Sequence, residues 1–152
     1  RTRADEGWRV VRDVMSLPSV VLILLQGIPG CVPWGVINTF LSDYLSYDRG
    51  MTVEGATLTV MLFGVGNFLG LILGGFLGQK IYNRDPRLLP LLMGFSTILA
   101  CLPLFGLFNA VDDRTDRRAV AATAIAAGIT VAIAGPNVKA TLQNVALPET
   151  RG

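Results

Sequence analysis

The sequence predicts an all-α protein, a polytopic membrane helix bundle with four transmembrane helices. Three observations lead there. Four long windows contain no Asp, Glu, Lys or Arg: Val14–Ser42, Gly55–Gln79, Leu88–Val111 and Ala119–Val138. The charged residues crowd into the short gaps between them. Gly66, Gly70, Gly74 and Gly78 recur every fourth residue inside the second window. A spanning helix needs roughly 20 residues to cross a hydrocarbon core of about 30 Å, and each window is that long. One charge at a helix centre costs about 2.5–3.5 kcal/mol on the insertion scale, so charge-free windows are the expected signature. A soluble four-helix core would need polar helix faces, which these windows lack.

Residues 1–16 are read as a cytoplasmic amphipathic segment. Trp8 to Met15 is short, basic and apolar on one side, as interfacial segments are. The apolar run behind it is too long for a cleaved signal, and no small-residue site ends a short core. Residues 17–146 form the membrane region, with spans near 19–41, 55–79, 88–111 and 119–140, and residues 147–152 begin a cytoplasmic loop.

The first span carries Pro29, Pro33, Gly27, Gly30 and Gly35 at its centre. Proline removes a ladder donor and frees a carbonyl, which is tolerated at depth only against protein or a wet cavity. The break is either a simple kink or a kink with substrate contact. Gln26, Trp34 and Asn38 are the side chains expected to face a solute.

The glycine stripe of the second span would be a poor choice in water, where each glycine costs about 1 kcal/mol against alanine. In lipid, a small-xxx-small stripe lets two backbones approach closely, so the stripe is expected to pack on another helix. Asn67 sits near the middle of the span, bonded to a neighbouring helix or in contact with substrate. The third span is rich in Leu and Phe, with Ser96 and Thr97 as its main polar interruption; their hydroxyls can bond their own helix. It is expected to be peripheral and lipid-facing.

The fourth span repeats polar residues every seventh position: Thr123, Thr130 and Asn137, then Asn144 beyond it. Seven residues are nearly two turns, so they are expected to share a face. Gly135-Pro136 should kink the helix just before Asn137. The stripe either lines a cavity or bonds another helix. Lys139 is expected to snorkel to the cytoplasmic interface.

Four spans put both ends on one side. That side holds Arg1, Arg3, Arg9, Arg12, Lys80, Arg84, Arg87, Lys139 and Arg151, against Arg49, Arg114, Arg117 and Arg118 on the other. The excess places both ends, and the Lys80–Arg87 loop, in the cytoplasm. The chain starts at Arg1 without methionine and stops after a charged turn, so it is expected to be a piece of a longer protein.

Catalytic chemistry finds little support. There is no histidine, and Cys31 and Cys101 have no C-x-x-C partner. The cysteines are expected to act as small apolar filler. Gly64 to Gly70 reads G-x-G-x-x-x-G, one residue off a dinucleotide fingerprint and placed mid-helix. The chain is read as no enzyme, with no cofactor, no metal and no nucleic-acid partner. No carboxylate lies at depth in any span; Asp43 is nearest. Proton and sodium relays usually use such an acid, so an ion-coupling residue would lie outside this chain, or the protein is a uniporter or exchanger.

The stretch Gly75-Phe76-Leu77-Gly78-Gln79-Lys80-Ile81-Tyr82-Asn83-Arg84 resembles the cytoplasmic-loop signature of the major facilitator superfamily, roughly G-x-L-[GA]-D-[RK]-x-G-[RK]-[RK]. Gly75, Leu77, Gly78, Lys80 and Arg84 match; Gln79 and Tyr82 depart from it. Pro148-Glu149-Thr150-Arg151-Gly152 is similar to the P-E-x-R-G turn between the tenth and eleventh helices of that family. The resemblance implies helices seven to ten of a twelve-helix fold, with the remaining helices and the bilayer as partners. It implies secondary transport of a small solute by alternating access. In that family the seventh and tenth helices line the cavity and the ninth is peripheral. On these terms Gln26, Trp34, Asn38, Asn67, Thr130 and Asn137 are the candidate substrate contacts. The alternative is a small four-span scaffold or interaction protein without transport.

Overall fold

The computed structural model describes residues 7–9, 11–12 and 15–145, without the side chains of 19, 23, 26, 28–31, 33 and 143–145. The Pro148–Gly152 turn, the side chains of Gln26 and Asn144, and residues 1–6 of the interfacial segment therefore lie outside the described residues. Within that segment, residues 7–9 and 11–12 are helical, and Trp8, Val11 and Met15 are exposed.

The described chain is helical throughout, and no strand occurs among the described residues. Helix α1 spans Pro18–Tyr47, α2 Val53–Tyr82, α3 Leu89–Asn109, α4 Arg117–Ala132 and α5 Ala134–Val145. Among the described residues, three segments are long and apolar enough to cross a membrane: Val53–Tyr82, Pro86–Asn109 and Arg117–Leu142.

Local chemistry sets the helix ends. Proline stands in the first turn of α1, where its missing N–H has no ladder to break. Helix α1 passes the expected end at residue 41 and stops at Tyr47, since a helix need not end where the apolar window does. Thr52 caps α2 by accepting the Gly55 N–H at 3.2 Å, and Glu54 sits against the positive end of the helix dipole. Asp85 accepts the Arg87 N–H at 2.9 Å and starts the single 3₁₀ turn Pro86–Leu88 that leads into α3.

The fourth span departs from expectation. It is two helices, interrupted at Ile133, rather than one helix kinked beside Asn137. Pro136 explains the displacement. A helical proline cannot donate to the carbonyl four residues back, and its ring crowds that carbonyl. Here that carbonyl belongs to Ala132, so the ladder fails just upstream of Pro136.

Helix α2 lies along α4 and α5, and α4 also packs on α3. The α2 seam is a backbone contact. A Cβ at Gly66 would meet the Ile125 carbonyl, and one at Gly70 would stand 2.9 Å from both Ile129 Cα and the Ala132 methyl. At Gly74 it would stand 2.8 Å from Ile133 Cα, and at Gly78 it would fall on the Asn137 amide. The partners advance by four as the glycines do, so the helices run parallel. Gly128 returns the contact, facing the Phe63 carbonyl and the Asn67 backbone nitrogen. Ala124, Ala127 and Ala132 are buried on the same helix.

Helix α3 leaves one apolar face uncovered. Leu91, Phe95, Ile98, Leu102 and Phe105 are all exposed, spaced by four and three. Ser96 and Thr97 both donate to the Met93 carbonyl, at 3.0 and 2.9 Å, within their own helix. Side-chain packing gathers where α1 ends: Ile37, Leu41 and Leu45 of α1 meet Phe63, Leu107, Val120, Ala124 and Ala127.

Substitution separates seam glycines from free ones. Gly70→Leu and Gly74→Leu should each destabilise the protein by about 1–3 kcal/mol or more, the usual cost of overpacking. Gly64, with nothing within 4 Å of its Cβ position, should accept alanine with a gain of up to about 1 kcal/mol in helix propensity. Thermal unfolding in detergent measures both; equal tolerance at positions 64, 70 and 74 would dismiss the seam.

Candidate functional site

The six sequence-predicted contacts fall in different settings. On α1, Trp34 is 39% exposed, and its ring lies 6.1 Å from that of Phe63 on α2, tilted by 49°. Phe63 is itself buried, so it backs the indole. Asn38 is exposed one turn further on and donates its amide to the Trp34 carbonyl at 2.8 Å.

Asn137 is 2% exposed and belongs to the seam. Its Nδ2 donates to the Gly74 carbonyl at 3.1 Å and to the Ile133 carbonyl at 2.8 Å. The first bond ties α5 to α2; the second satisfies an acceptor at the helix interruption. Gly78 makes this possible, because a side chain there would occupy the amide's place. Thr130 donates its hydroxyl to Ala126 O at 2.8 Å, within α4. Thr123 does the same to Ala119 O at 2.8 Å and packs its methyl toward Gly106 of α3. The heptad stripe thus meets α3 at Thr123 and α2 at Asn137, and does not form one free polar face. Two effects separate its members. Seven residues fall about 20° short of two full turns, and the interruption at Ile133 resets the direction.

Asn67 is different. It stands midway through the charge-free window Gly55–Gln79, about 18 Å of helix from either end at 1.5 Å per residue. Its Oδ1 is buried and accepts no hydrogen bond among the described residues. Phe63, whose ring meets that of Trp34, precedes it by one turn on α2. Trp34 and Phe63 are the pair that the structure brings together. Asn38 bonds the Trp34 backbone carbonyl, Thr130 bonds its own helix, and the Gln26 side chain lies outside the described residues.

The loop-motif residues behave unevenly. Gly78 is buried in the seam, while Gly75 is exposed with open space at its Cβ position. Both border a cavity of about 240 Å³ completed by Gln79, Leu89, Pro136 and Ala140. Gln79, standing where the signature has an acid, donates to the Asn83 side chain at 2.9 Å. Lys80 and Arg84 are exposed. A second cavity of about 290 Å³ opens among Thr52, Glu54, Asp112, Asp113 and Arg117, at the opposite end from the motif and away from Asn67.

Sequence reasoning missed one constellation. Tyr44 Oη donates to the Phe108 carbonyl at 2.8 Å, and Arg49 donates to the same oxygen through Nε at 2.9 Å and through Nη2. The guanidinium carbon lies 5.8 Å from the Tyr44 ring centre. Phe108 is in the last turn of α3, where carbonyls lack helical donors and the dipole is negative. Arg49 thus ties the α1–α2 loop to the end of α3. No local pattern announces a bond between a loop cation and a distant backbone carbonyl.

The α3–α4 loop is held separately. The Thr115 hydroxyl donates to Asp112 Oδ1 at 2.8 Å, and the Arg114 N–H reaches the same oxygen at 3.0 Å. The Thr115 hydroxyl bond is the main cause that lowers the Asp112 pKa below its ordinary carboxylate value.

The chain matches no protein-family description, no curated protein and no solved structure.

Arg49→Ala should cost about 1.5–3 kcal/mol, the range for a hydrogen bond to a charged group. Tyr44→Phe should cost less, and Arg49→Lys should recover little, because an ammonium cannot present two N–H groups in a fixed fork. Denaturant unfolding in detergent ranks the three; an unaffected Arg49→Ala would show the tie to be idle. The Asp112 shift has a defined sign. A depressed folded-state pKa stabilises the loop above the ordinary aspartate pKa, and this is lost as pH falls through the lowered value. A ¹³C-carboxyl titration should place Asp112 below an ordinary aspartate, and Thr115→Val should raise it; an unmoved midpoint would refute the Thr115 cause.

Proposed function

We propose that this chain is a four-span part of a twelve-helix transporter of the major facilitator type, moving a small solute by alternating access. In this reading α1, α2, α3 and the α4–α5 pair are the seventh to tenth helices, and both ends of the chain face the cytoplasm. The observation that carries it is Asn67. An amide at the middle of an apolar span, with a buried oxygen and no partner, costs about 1–3 kcal/mol when left unmatched. A scaffold gives it no purpose. A transporter does, since polar groups at membrane depth mark substrate pathways.

The α4–α5 interruption supports the same reading, whereas α1 runs unbroken from Pro18 to Tyr47, so the break expected at Pro29 and Pro33 amounts to lost ladder donors and not to a discontinuity. Pro29 and Pro33 in α1, and Pro136 at the α4–α5 interruption, leave backbone carbonyls without ladder donors near mid-span. Discontinuous helices at the midplane are a recurrent feature of transport sites. The seam between α2 and α4–α5 would move as one body, while α1 rocks against it about the Trp34–Phe63 contact. The exposed α3 stripe suits a peripheral helix.

Cysteine accessibility in the full-length protein tests this. In a background with Cys31 and Cys101 replaced, Trp34→Cys and Thr130→Cys should react with a small water-soluble thiol reagent. Leu99→Cys, on the peripheral helix, should stay inert because lipid supplies no water to stabilise the thiolate. A solute identified by an uptake screen should slow the first two reactions. If positions 34 and 130 prove as inert as 99, the site has no aqueous path and the transporter reading falls.

A further inference from the structure

We infer that the end of the bundle where α1 begins and α2 and α5 finish docks on anionic lipid headgroups, with the segment before α1 lying in the leaflet interface. This surface requires only that the apolar helices span a membrane, whatever the bundle carries. Topology gathers the cations there. Gly78 on α2 stands against Asn137 on α5, so Lys80 and Lys139 leave the bundle at one level. Arg84 and Arg87 follow α2 in the turn to α3. Trp34 meets Phe63 across the short turn at 48–52, so α1 runs back along α2, and Arg9 and Arg12 precede it at the same end. All six cations are exposed, and none pairs with a carboxylate among the described residues. Asp85 is the one acid among the described residues there, and it accepts the Arg87 backbone N–H at 2.9 Å. Asp5, Glu6, Asp13 and Glu149 of the flanking sequence do not reverse the excess, since Arg1, Arg3 and Arg151 accompany them. The opposite end is acidic on balance: Asp43, Asp48, Glu54, Asp112, Asp113 and Asp116 outnumber its four arginines.

The segment before α1 supplies the apolar half of the surface. Trp8, Val11 and Met15 share one face at helical spacing, all exposed, and Arg9 and Arg12 lie beside them. Leu17 is extended, at φ −82° and ψ 111°, because the residue before a proline avoids the helical region. The segment therefore does not continue the axis of α1 and is free to lie flat where the span begins. A helix of this kind sinks its apolar face about 5–10 Å into the boundary between headgroups and acyl chains, while its cations stay at the phosphates. Tryptophan favours that depth. One occupant answers both halves: a leaflet offers hydrocarbon to Trp8, Val11 and Met15 and negative charge to the arginines and lysines. The 240 Å³ cavity at this end is lined by none of the six cations. They are spread over the surface, so the attraction follows the charge density of the leaflet rather than the shape of one headgroup. Such attraction fades within a Debye length and weakens with salt.

The test uses the full-length protein in vesicles, without Cys31 and Cys101, and with a nitroxide label on Val11→Cys. Paramagnetic resonance reads its immersion, with oxygen relaxing the label in lipid and a nickel chelate relaxing it in water. The vesicles are phosphatidylcholine alone, or phosphatidylcholine with phosphatidylglycerol or phosphatidylserine at equal surface charge. The ratio of immersed to water-exposed label should rise with either anionic lipid, by the same factor, and added salt should cancel the rise. Arg9→Gln and Arg12→Gln should each lower that ratio about fivefold in anionic vesicles, the worth of one cation near such a surface, and leave it unchanged in phosphatidylcholine. A label on Asp113→Cys, in the loop at the acidic end, should stay in water in every mixture. Equal immersion at position 11 in neutral and anionic vesicles would leave an apolar anchor and remove the headgroup role. A response to a polyphosphoinositide alone, with none to the singly charged lipids, would replace the surface by a specific site and overturn the inference. A label at 11 that stays in water throughout overturns it too, and so does one hidden from both relaxants, which would be covered by protein.

Discussion

The absence of a side chain at four positions holds this fold together. Where α2 meets α4 and α5, the space that a Cβ would fill at Gly66, Gly70 and Gly74 is taken by the carbonyls of Ile125, Ile129 and Ile133. Glycine therefore turns its Cα hydrogens toward backbone oxygens. Such Cα–H···O contacts are worth about 0.5–1 kcal/mol each, and they recur at close helix interfaces. Lipid tails are as apolar as leucine, so burial gives little drive between helices in a membrane and close packing takes over. Helix α2, costly in glycine if it stood alone, becomes the element against which α4 and α5 are placed.

Parallel packing follows from the same contact and constrains the chain around it. Two parallel helices close in sequence need an element that returns across the full thickness between them. Helix α3 supplies that return, and it packs chiefly on α4 while its opposite face stays apolar and exposed. Helix α1 has no glycine seam with α2. It is fixed at one end by Ile37, Leu41 and Leu45 and by the Tyr44–Arg49 tie to Phe108. A helix anchored at one end, with two prolines that remove ladder donors in its other half, is the part of this structure most able to change its angle.

How much of this the sequence disclosed depends on the range of each signal. The glycine stripe is legible because each residue repeats the same demand at helical spacing. Its partner was equally open to view: Ala124, Gly128, Ala132 and Pro136 repeat every fourth residue on the facing helix. The heptad of Thr123, Thr130 and Asn137 drew attention instead, although it drifts by about 20° per repeat and crosses an interruption. Pro136 announced that interruption but not its place, because proline disturbs the carbonyl behind it rather than its own position. The Arg49 tie was not legible, since its acceptor is a backbone oxygen that every residue carries. Gln26 and Asn144 keep their sequence readings only, as their side chains lie outside the described residues.

Asn67 and Asn137 show why residue type alone does not assign a role. Both are amides within apolar spans, and in hydrocarbon either would seek partners at once. Asn137 finds two carbonyls because Gly78 leaves room for its amide and the break at Ile133 leaves an acceptor in reach. Its polarity is absorbed by the seam, and removing it would loosen packing. Asn67 also borders the seam, for its backbone nitrogen faces Gly128, yet its side-chain oxygen accepts no hydrogen bond among the described residues. A satisfied amide at depth stabilises one arrangement of helices. An unsatisfied one raises the energy of this arrangement, by about 1–3 kcal/mol for a buried acceptor left unmatched. That difference separates an asparagine that fixes the seam from one whose oxygen has no partner among the described residues.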